Sequence, residues 1–440
     1  MTARIFHTSD WHLGRQLGRH RRDTEVDAVL DEIIDVADDF APDLIVHSGD
    51  LFDTSRPGLD DLRRAAQALR RLGEIAPVVV VAGNHDTRNV LAFLEFILNG
   101  TDIGTGEQAR VRFATDARPE GLLVADYPTR DGELTLRIGA LPYLHPNRFA
   151  YDFTDPALTT ATYAERLRTV QADVYRRLSA GRGARDVLVF AAHLFVEGAI
   201  PSHSERKLSI ADDYATAAAD LPDVSYGALG HIHKPQRVQR AGYPAHYAGS
   251  PLQMDFGESG DTKSVVLAEV GPTVTPRIEP VPLTSGRRLV RLEGTLEEIA
   301  QRADRIHNAW VKAVVDVEVP DPFLPDTLAK LLPRATLVAV DERRAGATGS
   351  VPKQREASTE LPGIEELLRD YLPGRGTTGL ALDRAMAALA HLQAEPDPDD
   401  LAPCCEENLL TAAIESRPLD GLDRSGLLSG TDTTAAETTR

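Results

Sequence analysis

Cysteine and long hydrophobic runs are scarce in this sequence. The only two cysteines are adjacent, at Cys404 and Cys405, so neither a disulfide framework nor a cysteine metal site can organise the body of the protein. The longest apolar runs, such as 187–192, are too short to span a membrane. The chain enters a predicted strand within its first residues, without a basic and then apolar leader. We therefore expect no signal peptide, no membrane association and a cytoplasmic protein.

Basic residues are also in the minority. The chain has 48 Lys and Arg against 67 Asp and Glu, a net charge of −19, whereas nucleic-acid-binding proteins usually have a basic excess. Part of this charge is local, because residues 396–440 contain ten acidic and three basic residues. The composition of that tail predicts disorder. Bound divalent cations would reverse the field around a substrate, so charge leaves the class of partner open.

The first half of the chain alternates apolar strands with amphipathic helices. Strands at 4–9, 43–48 and 77–82, separated by helices at 23–39 and 59–72, predict a parallel sheet with helices outside it. A second, largely antiparallel sheet is predicted from strands further along the chain, at 225–229, 243–248, 263–270 and 273–281. The expected fold class is α/β, a four-layer αββα sandwich.

A composition shift near 282–286 predicts a domain boundary. Residues 1–282 form the first predicted domain, and renewed alternation over 283–345 predicts a small α/β capping domain. Residues 346–395 contain a polar linker and two amphipathic helices, at 361–372 and 382–393. These helices either pack on their own domain or dock a partner protein.

Five polar clusters follow apolar stretches, and together they hold seven metal donors. In open α/β sheets, functional groups gather beyond the carboxyl ends of strands. Residues two apart in extended backbone point the same way, so paired donors can face one site. The predicted donors are Asp10, His12, Asp50, Asn84, His193, His231 and His233.

The donor types indicate a two-metal site. Mixed imidazole and oxygen ligands suit manganese, iron or zinc better than calcium or magnesium. Two cations need a bridging carboxylate, for which Asp50 is the candidate, and such a pair favours metal-assisted hydrolysis of a phosphate ester. The alternative hypothesis is that these histidines are unrelated core residues. It is reasonable for any one of them, but much less so for all seven donors together.

Other residues near these clusters have different predicted tasks. His85 is predicted to face the substrate and protonate the leaving alkoxide, with Asp53 hydrogen-bonded to its ring as the orienting group. Asp86 is predicted to support the ligands or to cap a helix. His7 and His47 lie inside strands and are predicted to be buried core residues.

The segment Gly257–Ser264 resembles a phosphate-binding loop but is not one. Thr262 stands where the second glycine is required, and a strand rather than a helix follows. Any dependence on ATP must therefore come from another chain.

The clusters, in this order, resemble those of the calcineurin-like metallophosphoesterase superfamily and, more narrowly, of the SbcD family of MRE-type double-strand-break repair nucleases. The resemblance covers about residues 1–395. It is carried by Thr8–Gly14, Ser48–Thr54, Val81–Asp86, Leu229–Lys234 and Ala248–Leu252.

This resemblance implies the metallophosphoesterase sandwich, with His85 as the catalytic histidine. Some MRE-type relatives have histidine at the position of Asp53, so the role of Asp53 does not follow from it. The implied ligand sets are Asp10, His12, Asp50 and His233 for one ion, and Asp50, Asn84, His193 and His231 for the other. The implied metal is Mn²⁺. The implied activity is ATP-dependent 3′→5′ double-strand exonuclease and single-strand or hairpin endonuclease cleavage, in DNA repair, recombination and replication. The implied partners are DNA and an SbcC-type ATPase, with the chain a homodimer within a heterotetramer.

Two other functions remain open at this point. One is a superfamily phosphatase or cyclic-nucleotide phosphodiesterase. Protein phosphatases of the superfamily have arginine directly after the second aspartate of GDxxD, where this chain has Thr54. The other is a non-catalytic scaffold subunit, against which the intact donor set and His85 argue.

Overall fold

The computed structural model describes residues 1–100, 109–118, 121–145, 163–202, 204–205, 215–272, 274–319 and 321–344, with residues 369, 372, 382–386 and 389 further on. The chain separates into two compact units, 1–348 and 349–440. Across the part of the chain so described, no helix combines the length and the apolar character needed to cross a membrane.

Strands and helices alternate over residues 3–114, as the sequence predicts for the start of the chain. The strands are β1 (Ala3–Thr8), β2 (Leu44–His47), β3 (Val78–Val81), β4 (Val111–Ala114), β5 (Leu123–Pro128), β6 (Thr135–Leu141), β7 (Asp186–His193), β8 (Phe195–Val196), β9 (Ala215–Thr216), β10 (Tyr226–Gly230), β11 (Gln236–Arg237), β12 (Ala245–Tyr247), β13 (Ser264–Val270), β14 (Arg277–Pro282), β15 (Arg288–Gly294), β16 (Ala309–Val317) and β17 (Thr336–Arg344). The helices are α1 (Asp23–Phe40), α2 (Leu59–Ile75), α3 (Arg88–Asn99), α4 (Tyr163–Ser179), α5 (Leu296–Ala303) and α6 (Leu324–Leu331).

The first sheet has the strand order β14-β13-β1-β2-β3-β4. Strands β1 to β4 are parallel, because α1, α2 and α3 carry the chain back between them. Both faces of these strands are covered, and every residue of β3, a run of four valines, is buried.

The second sheet differs from the prediction in two respects. The assignment of 263–270 and 273–281 to it is wrong, because β13 pairs antiparallel with β1 in the first sheet and β14 pairs with β13. This pairing closes the edge beside β1 and brings Val266 and Ala268 into the core between the sheets. The expected antiparallel arrangement is also wrong. In the order β11-β12-β10-β7-β6-β5, the four central strands are parallel, and only the two edge strands are antiparallel.

The sheets pack face to face and helices cover their outer faces. Ile5 and Val46 of the first sheet share one core cluster with Ile138 and Val189 of the second. Helices α1, α2 and α3 cover the far side of the first sheet, and α4 covers the far side of the second. The predicted four-layer αββα sandwich is confirmed.

A third, smaller sheet follows β14. Strands β15, β16 and β17 are parallel and are joined by α5 and α6, with a core of their own. A capping box starts α5, in which Thr295 and Glu298 satisfy each other's backbone amides. The elements predicted over 283–345 are present, while the domain boundary at 282 stays a prediction.

Glu25 links this third sheet to α1, one of the helices on the outer face of the first sheet. Its carboxylate accepts hydrogen bonds from Trp310 Nε1 at 3.0 Å and from the Arg287 backbone amide at 2.6 Å. Arg22 pairs with the same carboxylate through Nε and Nη2, at 2.8 and 2.7 Å. Arg22, Glu25 and Trp310 are buried, so these bonds replace the lost solvation of the two charges.

The C-terminal predictions lie mostly outside the described residues. Those described within the predicted helices 361–372 and 382–393 are helical. The polar linker at 345–360 and the acidic tail at 396–440 lie wholly outside.

Candidate metal centre

The predicted donors lie at the carboxyl ends of parallel strands. In the first sheet, β1, β2 and β3 end shortly before Asp10, Asp50 and Asn84. In the second sheet, β7 ends on His193 and the adjacent β10 ends before His231. The sheets meet here, since the His231 amide donates to both carboxylate oxygens of Asp10 at 3.2 Å.

The loops that carry the donors have an unusual backbone. Asp10, His12, Asp50 and His231 have positive φ angles of 51°, 45°, 53° and 100°. Such angles are uncommon outside glycine, although Asp and His adopt them more often than most residues. Two bonds hold the first loops in place, from the Asp10 amide to the Gly49 carbonyl at 2.9 Å and from the His12 amide to the Asp50 carbonyl at 3.1 Å. Backbone strain of this kind concentrates at functional sites.

Two glycines leave the space that the donors occupy. A Cβ on Gly49, whose φ is +114°, would lie 2.1 Å from His193 Nδ1. A Cβ on Gly83 would lie 2.1 Å from Asp50 Oδ1. No other residue type fits at either position.

Asp10, His12 and His233 form the first donor cluster. The Nε2 atoms of His12 and His233 are 3.0 Å apart, and Asp10 Oδ1 lies 4.0 Å from His233 Nε2. All three residues are buried. Metal bonds of about 2.0–2.2 Å place neighbouring ligand atoms about 3 Å apart, so this spacing suits ligands of one cation.

Asn84, His193 and His231 form the second cluster. Asn84 Oδ1 lies 3.0 Å from His193 Nε2 and 2.9 Å from His231 Nδ1, and the two ring nitrogens are 3.2 Å apart. His193 Nδ1 donates to the Ser48 carbonyl at 2.9 Å, which leaves the lone pair of the ring on Nε2.

Asp50 lies between the two clusters. Its Oδ2 is 3.6 Å from His12 Nε2 and 3.4 Å from His193 Nε2. Its Oδ1 accepts a hydrogen bond from the His85 amide at 2.9 Å. This position is the one that a bridging carboxylate needs.

The electrostatics of the centre favour bound cations. Burial by itself lowers the pKa of His193, but the neighbouring Asp50 outweighs it and raises the pKa to about 9. The pKa of His12 is also raised against the effect of burial, by Asp53 and Asp50. Burial would raise the pKa of Asp50, yet His193 and His12 hold it well below its ordinary value. A pocket that attracts protons this strongly attracts metal ions by the same field, and the donors fit two divalent cations.

His85 lies beside this centre, half-buried, with its ring edge-on to that of His12 at a centroid distance of 4.8 Å. Its Nδ1 donates to the backbone carbonyl of Asp53 at 2.5 Å, whereas the sequence predicted the carboxylate of Asp53 as the partner. That carboxylate lies 3.2 Å from Arg15 Nη1 and 3.6 Å from His12 Nδ1. The carbonyl bond fixes the orientation of the ring, with Nδ1 as the donor to the backbone.

Asp86 ties the donor loops together. Its carboxylate accepts from the amides of Gly83, Leu51 and Phe52 at 2.9, 3.2 and 3.1 Å. Burial and then the Asp50 charge raise the pKa of Asp86 to about 6. The residue at the N-cap of α3 is Thr87, so the capping alternative for Asp86 is wrong and the supporting one is correct.

His7 and His47 are buried strand residues, as predicted. His7 contacts Tyr226 Oη at 3.0 Å through Nδ1 and Ser48 Oγ at 2.8 Å through Nε2. Burial lowers the pKa of both histidines to about 3, so both are neutral.

Sequence reasoning missed Tyr143. Its ring stacks on His231 at a centroid distance of 5.7 Å and meets the ring of His193 edge-on at 6.0 Å. Tyr143 follows β6, a neighbour of β7 in the second sheet. The rule that identified the donors at strand ends would have identified this position too.

Sequence reasoning also missed the polar groups behind His233. Ser204 Oγ lies 2.6 Å from His233 Nδ1, and Glu258 Oε1 lies 3.4 Å from the same atom. Lys263 Nζ donates to Glu258 Oε2 at 2.6 Å. Burial would raise the pKa of Glu258, but His233 and Lys263 lower it well below its ordinary value.

Comparison with known sequences gives consistent results. The profile of the calcineurin-like phosphoesterase family matches residues 3–235. The SbcD subunit of the nuclease SbcCD of Bacillus subtilis is 32% identical over 348 residues, which are 74% of this chain and 82% of that protein. The corresponding SbcD subunit of Escherichia coli K12 is 28% identical over 393 residues, 84% of this chain and 92% of that protein.

The similarity to solved structures is slight. The structure of TT1561 from Thermus thermophilus covers 64% of this chain and 99% of its own, at 13% identity and a TM-score of 0.33.

Proposed function

Because the chain belongs to the calcineurin-like phosphoesterases, a family of metal-dependent phosphodiesterases that bind two divalent cations, and within them to the SbcD nuclease subunits, we propose that it cleaves DNA at this centre with Mn²⁺. The observation that carries the proposal is the position of Asp50 between two donor clusters, in which every residue except the half-buried Asn84 is buried. The proposed ligands are Asp10, His12, Asp50 and His233 for the first cation, and Asp50, Asn84, His193 and His231 for the second.

The residues of the centre have different proposed roles in hydrolysis. Cations held there would lower the pKa of a bound water and brace the phosphate oxygens during an in-line displacement. Asp50 keeps the two positions adjacent, and its Oδ1 is held by the His85 amide. The positive-φ loops and the Asp86 bonds fix the donors before substrate arrives.

We assign His85 as the general acid. Its Nδ1 is fixed by the Asp53 carbonyl, so a protonated ring presents Nε2–H to the leaving oxygen. Asp53 supports this role through its backbone and adds negative charge beside His12. His85 is half-buried rather than buried, which fits contact with a substrate.

A comparison of DNA with small phosphate esters as substrates tests the substrate class. The purified chain, combined with an SbcC-type ATPase, ATP and Mn²⁺, is given a hairpin-ended oligonucleotide, labelled at either end, in parallel with para-nitrophenyl phosphate and cyclic AMP. We expect 3′→5′ shortening of ends and cleavage at the hairpin, both lost with EDTA and in Asp50→Ala but kept in Asp131→Ala on an exposed turn. Preference for the small esters would contradict the proposal.

We propose that an SbcC-type ATPase is the partner and that it docks on 361–395. The name of the relatives describes one component of a nuclease, SbcCD, and the helical pattern over this segment supports a docking role. Deletion of 361–395 should prevent co-purification with the ATPase without loss of bound metal, whereas deletion of 396–440 should not. Unchanged co-purification after the first deletion would place the docking segment elsewhere.

We also propose that two copies of the chain associate through α3. Phe93, Phe96 and Ile97, at helical spacing, are 53%, 53% and 40% exposed, an apolar patch of the kind that marks an interface. Sedimentation should show a dimer for the wild type and a monomer for Phe93→Glu/Phe96→Glu. The control Leu59→Glu, at an isolated exposed leucine on α2, should stay dimeric. A monomeric wild type, or a dimeric double variant, would contradict this arrangement.

A further inference from the structure

The segment Gly257–Ser264, which fails as a phosphate-binding loop, contains two buried charges. Glu258 is 0% exposed and Lys263 is 5% exposed. Lys263 Nζ donates to Glu258 Oε2 at 2.6 Å, and the Met254 amide donates to the same oxygen at 2.9 Å. A buried ion pair is weak evidence of a stabilising role, because the desolvation of both charges offsets their attraction. The contacts that the pair makes are therefore the guide to its task.

Those contacts converge on His233. Ser204 Oγ lies 2.6 Å from His233 Nδ1 and also donates to Glu258 Oε1. Lys263 Nζ donates to the backbone carbonyl of His233 at 2.9 Å and to Ser250 Oγ at 3.0 Å. The pair thus holds both the ring and the backbone of His233.

The hydrogen bonds have one consistent direction. An ionised glutamate accepts only, so the hydroxyl of Ser204 donates to Glu258. Ser204 Oγ then accepts from His233 Nδ1–H. The lone pair of the imidazole is left on Nε2, the atom that faces His12 Nε2 at 3.0 Å. This is the tautomer that can bind a cation through Nε2.

We propose that Ser204 and Glu258, with Glu258 held by Lys263, are positioning residues that fix His233 as the Nδ1–H tautomer and so set the affinity of the first cation position. The inference rests on the proposed function only in that Asp10, His12 and His233 bind a cation.

The test uses Ser204→Ala, which removes the relay and leaves the Glu258–Lys263 pair intact. In metal-free protein with ¹⁵N-labelled histidine, NMR reports the tautomer of His233, whose signal is assigned by its loss in His233→Gln. Calorimetric titration with Mn²⁺ reports each binding step. We expect the Nδ1–H form and two bound ions in the wild type. In Ser204→Ala we expect a shift toward Nε2–H and one step weakened by about 10–100-fold, with the other unchanged.

Two further variants make the result decisive. Ser259→Ala is the matched control, because its hydroxyl lies in the same segment but donates to the Leu289 carbonyl. Its tautomer and its affinities should equal those of the wild type. Glu258→Leu/Lys263→Met removes both charges and the acceptor of Ser204 together, which avoids an unpaired buried charge, and should reproduce the loss. Unfolding midpoints in EDTA show that each variant is folded.

The positioning role and the metal centre fail in different ways. An unchanged tautomer and two unchanged affinities in both Ser204→Ala and Glu258→Leu/Lys263→Met would overturn the positioning role and leave the metal centre standing. A wild type that binds no Mn²⁺ would contradict the centre, and the positioning role with it.

Discussion

His85 and Asp50 are joined by a hydrogen bond, yet their proposed roles differ. The His85 amide donates to Asp50 Oδ1, while Asp50 Oδ2 faces His12 and His193. The ring of His85 is close enough to His12 and Asp50 to bind a cation together with them. A metal ligand and a proton donor at this position would give different results when His85 is replaced.

Replacement of His85 by glutamine separates these tasks. Loss of a general acid should lower kcat on DNA by about 10²–10⁴-fold, with two Mn²⁺ ions still bound. Asp50→Ala should lose both activity and metal. Single-turnover cleavage and metal content by mass spectrometry are the measurements. A His85→Gln protein that has lost an ion would make His85 a ligand.

At the level of residues, the sequence predicts identity better than conformation. Donor types and their place after strands were enough to predict which side chains converge around Asp50. Nothing in the amino-acid sequence predicts the positive φ angles of Asp10 and His12, because these angles depend on backbone hydrogen bonds to the loop after β2. Glu258 was missed because its segment resembles a phosphate-binding loop, and the mismatch at Thr262 gave no reason to expect another task there.

At the scale of elements, the centre depends on loops from different strands staying together. Asp86, after β3, accepts from the amides of Leu51 and Phe52 after β2 as well as from that of Gly83. These bonds hold the loop of Asp50 beside the loop of Asn84. The distance between the two donors therefore depends on a side chain that is not itself a proposed metal ligand.

Asp86→Ala tests that dependence. Each of three amides loses its acceptor, at about 1–3 kcal/mol for a buried group, so we expect the free energy of unfolding to fall by about 3 kcal/mol or more. Affinity for Mn²⁺ should fall as well, because the loops separate. Glu74→Ala is the control, since the Glu74 side chain is exposed on α2 and its loss should change stability by less than about 0.5 kcal/mol. Equal urea midpoints and equal Mn²⁺ affinities for the two variants would refute the dependence.

The errors at this scale are about which strands pair. The helix before β7 and the strand β7 itself were both predicted, and α4 as a crossover makes β6 and β7 parallel. The pairing of β13 with β1 joins residues more than 250 positions apart, such as Ala3 and Val270. A local pattern gives no register for such a pair, so proximity in sequence to β12 suggested the wrong sheet.

At the scale of the whole molecule, a few buried side chains attach the third sheet to helix α1. Glu25 receives bonds from Arg22, Trp310 and the Arg287 amide. The Arg287 guanidinium also lies 4.0 Å from the centroid of the Trp310 ring. Because Glu25 is the acceptor common to all three, its loss removes several contacts of this junction at once.

Glu25→Ala should loosen this junction. It leaves the buried Arg22 charge without its partner, at a cost of about 3–5 kcal/mol in the free energy of unfolding. Limited proteolysis should then cut between β14 and β15, near the predicted boundary at 282. Glu74→Ala, at an exposed position of α2, should resist proteolysis like the wild type. Equal cleavage patterns in the two variants would argue against the junction.

The central claim is that one carboxylate, Asp50, joins two cation positions at the meeting point of the two sheets. Anomalous X-ray diffraction at the manganese edge, from crystals grown with Mn²⁺, tests it directly. We expect two peaks about 3.5–4 Å apart on either side of Asp50 Oδ2, one contacted by His12 and His233 and the other by Asn84, His193 and His231. A single peak, or peaks that do not share Asp50, would contradict it.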